Sequence, residues 1–184
     1  RPMARFVVGL ITRGWPPCSL ADRRVSLAIE QSSQDAQASA GRERADIEAD
    51  GPIPGDYSML SLGSAAYDGD ENLLSTFTVN IAPLEGAKQH PETMEFWKAN
   101  ADAWDAVQID QQLPGCAMAK YAAWLDRLVA GTKLKPVFVG YPVVFDYSYV
   151  HWYMVHFVGR DPFSFYALDL KTYAMAALDT EFIE

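Results

Sequence analysis

From residue 46 onward, hydrophobic positions alternate between the two-residue period of strands and the 3.6-residue period of helices. The apolar runs of strand length are bounded by turn residues, and two of the longer periodic stretches begin at proline, which suits a first helical turn. Asp169 precedes the last periodic stretch and is well placed to cap it. The predicted strands cover 58–67, 74–81, 136–140 and 166–168, and the predicted helices cover 91–107, 114–129, 145–158 and 170–178. This order predicts an α/β domain with a mixed β-sheet flanked by helices.

The first 45 residues do not follow this pattern. Residues 31–44 consist of Gln, Ser, Ala, Gly and charged residues without an apolar period, a composition typical of segments that form no packed core. The apolar run at 6–11 is too short to cross a bilayer, and polar residues end it before it reaches the length of a signal peptide core. We therefore predict a poorly ordered leader at 1–45 and a globular domain at 46–184.

The overall composition is that of an ordinary globular protein, with 49% apolar and 21% charged residues. The net charge of −9 is unevenly distributed, because residues 1–45 carry seven arginines and four acidic residues, so that residues 46–184 carry −12. An acidic domain does not suit non-specific binding of duplex nucleic acid over a large surface, because such binding needs many cationic side chains to neutralise the phosphates. It remains compatible with a small site in which metal ions bridge carboxylates and a phosphate.

The two cysteines, Cys18 and Cys116, are far apart and have no histidine or cysteine at metal-ligand spacing. This pattern argues against a structural zinc site and favours a reducing compartment over a disulfide framework. We therefore predict a cytoplasmic protein without a membrane partner. The sequence also has no serine-hydrolase elbow and no glycine-rich nucleotide loop of the Walker or dinucleotide type.

Asp46 and Glu48 form an Asp-x-Glu motif, which places two carboxylates on the same side of an extended chain. Two neighbouring acids repel each other, and the pKa of one rises, unless a cation lies between them. Hard oxygen ligands at this spacing suit Mg²⁺ or Mn²⁺. Most acidic pairs of this kind are simply solvated surface residues, so the motif needs a structural context before it indicates chemistry.

That context resembles the DEDD-type, or DnaQ-like, 3′–5′ exonuclease superfamily, which includes proofreading exonucleases, RNase T and oligoribonuclease. The sequence DIEADG at 46–51, followed by a second strand, is similar to the first motif of the family. The buried strand at 136–140, followed by Phe145 and Asp146 at the start of a helix, is similar to the second motif. The resemblance covers roughly residues 46–178 and implies a ribonuclease H-like fold.

The resemblance further implies hydrolysis of phosphodiester bonds at the 3′ end of single-stranded or short nucleic acid. In such enzymes two divalent ions, Mg²⁺ or Mn²⁺, generate the nucleophile and stabilise the charge on the phosphate. Asp46 would bridge the two ions, while Glu48 and Asp146 would each complete one coordination shell. These three carboxylates are therefore both the predicted metal ligands and the predicted catalytic residues.

Three further residues are predicted to contact the substrate. The backbone of Ala49 and Asp50 would lie near the terminal sugar, as the resemblance implies. Trp97 could stack on a base, although its helical spacing with Met94 and Trp104 favours simple core packing. The aromatic residues and the two histidines of the predicted helix at 145–158 are interpreted first as packing and surface residues, and only second as a platform for nucleobases.

The sequence departs from the family pattern in two places. The family has an apolar strand directly before Asp-x-Glu, where this chain has the polar sequence GRERA at 41–45. The last motif of the family supplies a fourth aspartate and a histidine or tyrosine base on a closing helix. Asp179 and Glu181 come too early for that motif, and the sequence ends at Glu184. We therefore expect a fold that is incomplete at both ends and lacks its last helix.

Two alternatives to an active exonuclease remain at this point. The first is a non-catalytic, exonuclease-like module that binds a partner or serves as a scaffold. The second is an inactive fragment whose missing segment comes from another chain, for instance in a homodimer. The residues do not distinguish an RNA substrate from a DNA substrate.

Overall fold

The structure, a computed structural model, describes residues 6–9, 47–68, 72–163, 165 and 167–178, and of residues 6–9, 177 and 178 it describes the backbone. The described strands are β1 (Phe6–Gly9), β2 (Ile47–Ala49), β3 (Met59–Tyr67), β4 (Leu73–Asn80), β5 (Pro136–Gly140) and β6 (Ala167–Asp169). The described helices are α1 (Pro91–Ala99), α2 (Ala101–Val107), α3 (Pro114–Val129), α4 (Val143–Val158) and α5 (Leu170–Leu178). The predicted α/β class, a mixed sheet flanked by helices, is confirmed.

The sheet follows the order β2-β3-β1-β5-β6, with β4 paired to β3 as well. Strands β1 and β2 both run antiparallel to β3, β1 along its residues 65–67 and β2 along its residues 59–62. Strand β4 pairs with β3 from Ser61 to Tyr67 and so occupies the opposite edge of β3. Consequently β1 and β2 lie end to end along one edge of β3, where together they take the place of a single strand.

This arrangement corrects the predicted domain boundary at residue 45. Strand β1 lies within the predicted leader, yet it pairs antiparallel with β3 and parallel with β5. The apolar sequence FVVG at 6–9 thus supplies the central strand that the polar residues before Asp46 could not form. The other residues of the predicted leader lie outside the described ranges.

The predicted helix at 91–107 is divided into α1 and α2 at Asn100. The side-chain amide of Asn100 donates a hydrogen bond to the Phe96 carbonyl, at 2.8 Å, and its backbone N–H donates to the Trp97 carbonyl, at 3.0 Å. A side chain that bonds a nearby backbone carbonyl in this way competes with the regular backbone hydrogen bonds of a helix. The prediction of one continuous helix therefore failed at Asn100, whose side chain bonds the Phe96 carbonyl.

The core joins the sheet to α3 and α4. Tyr121 of α3 and Tyr149 of α4 are fully buried in it, as is Phe138 of β5. A smaller cluster of Leu60, Trp97 and Val107 packs α1 and α2 against the sheet. Within the described ranges, none of the helices has the combined length and hydrophobicity that a bilayer crossing requires.

Candidate active site

The first predicted motif lies on β2 and the loop that follows it. Ile47 and Ala49 are buried, whereas Glu48 between them is only partly buried, because successive side chains of a strand point to opposite faces. The register shifts between Glu48 and Ala49, where Ala49 pairs with Met59. Asp46, the other acid of the motif, lies outside the described residues, so its predicted role stays a prediction.

Asp50 points inward and holds the loop together. Its backbone N–H donates to the Ser58 carbonyl at 3.0 Å, and its carbonyl accepts from the His90 N–H at 2.8 Å. Its carboxylate accepts from the Ser58 N–H at 2.5 Å. Burial raises the pKa of Asp50, although this hydrogen bond partly offsets the rise. Since its carboxylate and both its backbone groups are bonded within the protein, Asp50 shapes the loop, and the predicted position of its backbone near a terminal sugar stays a prediction.

Trp97 lies in the core, with 2% of its surface exposed. Its indole N–H donates to the Ala49 carbonyl at 3.1 Å, and its ring packs edge-on against Phe96 and Trp104. The predicted stacking on a base was therefore wrong, and the core-packing alternative is correct. The exposed aromatic residue here is its neighbour Phe96, with 58% of its surface accessible. Sequence analysis missed Phe96, because helical spacing alone did not show which of two adjacent aromatic residues faces outward.

The second predicted motif lies at the start of α4. Asp146 sits in the first turn of the helix with only 2% of its surface exposed. Gly140, the last residue of β5, leaves room for it: a Cβ atom at Gly140 would lie 3.2 Å from Asp146 Oδ2. The positive end of the helix dipole favours the ionised form of a carboxylate in this position.

Asp169 fixes the start of α4. One carboxylate oxygen accepts from the Val143 N–H at 3.2 Å and the other from the Thr172 N–H at 2.8 Å, so that Asp169 caps α4 and α5 together. Burial on its own would raise the pKa of Asp169, but the bonds from Thr172 and Val143 outweigh it and lower the pKa. The predicted capping of the final helix is confirmed, and the bond to Val143 adds a direct link to the helix that carries Asp146.

Helix α4 is also bonded to the loop that follows β2. The Tyr149 hydroxyl donates to the Gly51 carbonyl at 2.6 Å, and the Tyr153 hydroxyl accepts from the Met59 N–H at 2.7 Å. Burial raises the pKa of both tyrosines well above the ordinary value, so both hydroxyls stay protonated. These bonds bring together two segments that are almost a hundred positions apart in the chain.

An open cavity of about 430 Å³ lies where the two motifs meet. Its lining includes Ala49 and Gly51 of the first motif, His90 and Phe96 of α1 and its cap, and Phe145 of α4. Ala49 directly follows Glu48, and Phe145 directly precedes Asp146. Both predicted motifs therefore lie next to one pocket, which Ala49 lines, and the predicted contact of its backbone with a sugar stays a prediction.

The positions of the described residues do not test the predicted metal ligands. Within the ranges that the structure describes, no group of three or more His, Cys, Asp or Glu side chains is arranged to hold a metal ion. The predicted set includes Asp46, which those ranges do not contain. The donors themselves fit the predicted ions, because three carboxylates offer only hard oxygen atoms, as Mg²⁺ and Mn²⁺ prefer.

No protein-family model matches the chain. A curated relative, the 3′–5′ DNA exonuclease Cap18 of Escherichia coli, is 31% identical over 128 residues, which cover 69% of this chain and 64% of that protein. The chain thus spans a little under two thirds of the relative's length.

Two solved structures share the fold. The nuclease domain of 3′hExo, a DEDDh family member bound to rAMP, superposes with a TM-score of 0.56 and 9% identity, over 97% of this chain and 73% of that domain. Escherichia coli Exonuclease I in complex with a 5cy-dT13 oligonucleotide gives a TM-score of 0.53 and 17% identity, over 72% of this chain and 28% of that protein. The chain therefore has a ribonuclease H-like nuclease fold. The curated relative, which is named a 3′–5′ DNA exonuclease, and the two shared folds agree with the resemblance to the DEDD-type 3′–5′ exonuclease superfamily that the two motifs carry.

Proposed function

We propose that this chain forms the catalytic domain of a metal-dependent 3′–5′ exonuclease that acts on single-stranded DNA. The observation that carries the proposal is the shared pocket, where the residue after Glu48 and the residue before Asp146 line one cavity. A DNA substrate is favoured by the curated relative, which is named a DNA exonuclease. Single-stranded DNA is favoured by Exonuclease I, whose structures hold dT13 and dA16 oligonucleotides.

The pocket suits the nucleoside at the 3′ end of a strand. Its volume of about 430 Å³ falls within the usual range of about 300–1,000 Å³ for small-molecule sites. Phe96 and Phe145 offer apolar surfaces against which a base or sugar can pack, and stacking of this kind is tolerant of base identity. Such a pocket would hold the terminal nucleoside and leave its phosphate beside the acids.

Asp46, Glu48 and Asp146 would hold the metal ions. Asp46 directly precedes Ile47, the first residue of β2, and β1 and β2 lie end to end along one edge of β3. Strand β1 also runs beside β5, and the helix that follows β5 carries Asp146 in its first turn. When bound, the ions would supply an activated water molecule and stabilise the charge on the scissile phosphate.

Digestion of 5′-labelled single-stranded DNA by the full-length protein tests the proposal. We expect a ladder of products shortened stepwise from the 3′ end in the presence of Mg²⁺ or Mn²⁺, and none in the presence of EDTA. Glu48→Gln and Asp146→Asn should each lower the rate by about a thousandfold or more, since each removes a charged ligand of the reacting centre. Asp126→Asn is a matched control, because Asp126 is an exposed acid paired with Arg160, and it should leave the rate unchanged.

Internal nicking, or full activity of Asp146→Asn, would show that the proposal is wrong. Metal binding can be measured separately through thermal unfolding, because a ligand that binds only the folded state raises the melting temperature. The wild-type protein should gain stability in millimolar Mn²⁺, and Asp46→Ala should abolish the gain. Binding of DNA without any cleavage would instead support a non-catalytic module.

A further inference from the structure

One side of helix α4 carries a row of aromatic residues that begins at the pocket. Phe145, Tyr149, Trp152 and His156 recur at positions i, i+4, i+7 and i+11, which lie along one face of a helix. Phe145 lines the pocket, and Tyr149 is fully buried under the loop that follows β2. Trp152 is only partly buried, and His156 is exposed. The first residue of the row thus lines the pocket, the second is covered by the loop, and the last two, Trp152 and His156, are at least partly exposed.

The loop runs beside this row in the same direction. Gly51 is bonded to Tyr149 at one end, and Gly55 lies against Trp152 at the other, where an added Cβ atom would come within 2.9 Å of the indole ring. Between these two contacts, Pro52 lines the pocket and Ile53 is 54% exposed. An apolar surface thus continues from the pocket, over the loop, to the exposed end of the row.

The indole of Trp152 and the imidazole of His156 form a stacked pair. Their centroids are 4.5 Å apart and their planes differ by 8°. The indole also lies against Gly55, so the pair is held in place before any ligand binds. A preorganised ring loses little conformational entropy on binding. Because His156 is exposed, the pair offers an aromatic surface to solvent.

We propose that Trp152 and His156 form a second nucleobase platform, which stacks on a base several nucleotides upstream of the 3′ end. This inference rests on the proposed function, because it takes the pocket as the site of the 3′ terminal nucleoside. Along the helix axis, Phe145 and His156 are about 16 Å apart at about 1.5 Å per residue. A dinucleotide held in the pocket therefore does not reach the platform, whereas a longer single strand does. The occupant is single-stranded nucleic acid, since stacking on a flat ring accepts any base.

Binding measurements with two lengths of substrate test the platform. Fluorescence anisotropy of a 5′-labelled dT8 oligonucleotide, measured in EDTA with the full-length protein, gives the Kd without turnover. Competition by unlabelled dT2 gives the Kd of the short ligand. We expect His156→Ala to weaken dT8 binding about tenfold, as the loss of one stacked base predicts, and to leave dT2 binding unchanged. His156→Phe keeps an aromatic ring and should bind dT8 within about twofold of the wild type.

Leu74→Ala serves as the matched surface control. Leu74 is a partly exposed residue of β4, next to the end of β3 that lies away from Met59 and the pocket. It should bind both oligonucleotides like the wild type. Equal losses for dT8 and dT2 in His156→Ala, unchanged dT8 binding, or failure of His156→Phe to restore it would each overturn the platform. The digestion assay remains a separate test, because absence of cleavage contradicts the proposed function, whereas these Kd values decide the platform alone.

Discussion

The two walls of the pocket are built in different ways. The wall that carries Glu48 and Ala49 is a strand of three residues followed by a loop, and distant side chains such as Trp97 and Tyr149 bond its backbone. The other wall, which Phe145 lines, is the start of a helix of 16 residues that carries Asp146 in its first turn. That helix is held at its start by one capping residue, Asp169.

The difference shows where each wall is vulnerable. A short strand and a loop have little stability of their own, so their shape depends on tight packing and on hydrogen bonds from other elements. A helix makes most of its backbone hydrogen bonds within itself, and the first turn of this one is held by the cap from Asp169. We therefore expect packing changes to damage the first wall most, and loss of the cap to have a smaller effect on the second.

The largest effect is expected from Gly51→Ala on the first wall. A Cβ atom at Gly51 would lie 2.2 Å from Tyr57 Cγ, a distance that forces the ring or the loop to move. Overpacking of this kind costs about 1–3 kcal/mol or more, and the free energy of unfolding from urea titration should fall by that amount. Gly115→Ala is the control, because its added Cβ would lie at an ordinary 3.7 Å from Phe157. Equal stability of the two variants would contradict the packing argument.

Trp97→Phe should have the next largest effect. It removes the indole N–H that bonds the Ala49 carbonyl, and an unsatisfied buried group costs about 1–3 kcal/mol. Phe96→Ala should show the opposite behaviour, with stability changed by less than about 0.5 kcal/mol and weaker oligonucleotide binding, because Phe96 is exposed at the pocket. Thermal unfolding and anisotropy on both variants measure the two effects. If Trp97→Phe loses binding but no stability, the assignment of the two rings is reversed.

A smaller and pH-dependent effect is expected from Asp169→Asn on the second wall. Asparagine has one side-chain oxygen and can keep only one of the two hydrogen bonds, so the variant should lose about 1 kcal/mol at neutral pH. The pKa of Asp169 is lowered in the folded state, so its contribution is fully present above the unfolded pKa of about 3.9 and is lost as the pH falls through the lower folded pKa. Urea midpoints of the variant and the wild type should therefore differ at pH 7 and converge in acid. A difference that stays constant with pH would rule out the carboxylate as the cause.

The smallest effect is expected from deletion of residues 11–45, which joins Leu10 to Asp46. Gly9 pairs with Ala65 and Ile47 with Leu62, so two positions separate them along β3. Leu10 and Asp46 would fill these two positions and make β1 and β2 continuous. The melting temperature should stay within a few degrees of that of the wild type. Deletion of residues 11–44 leaves one residue too many, shifts the register and should be clearly less stable.

Much of the fold was predictable from local sequence. Strand β5 and helices α3 and α5 have the predicted bounds, because proline, glycine and the cap at Asp169 mark their ends directly. The break at Asn100 was not predicted, since it depends on where one side chain finds its partner. The strand before Asp46 was predicted to be a poor central strand, because residues 41–45 are polar. The sequence did not predict that β1 takes that place, because β1 pairs with strands far away in the chain.

The site was predictable as two motifs but not as a set of contacts. The sequence correctly placed Glu48 on a strand and Asp146 in the first turn of a helix. The burial of Trp97 agrees with its helical spacing, whereas the inward turn of Asp50 and the exposure of Phe96 at the pocket depend on which side of each element the rest of the chain covers.

The amino-acid sequence by itself determined the α/β class, the bounds of several elements and the two acidic motifs, since these depend on neighbouring residues and their spacing. The tertiary structure alone decided that two separated segments share one strand position and that buried tyrosine and tryptophan side chains hold the pocket wall. The physical reason is that hydrogen bonds and packing between distant residues are fixed only when the chain has folded, and sequence spacing carries no record of them.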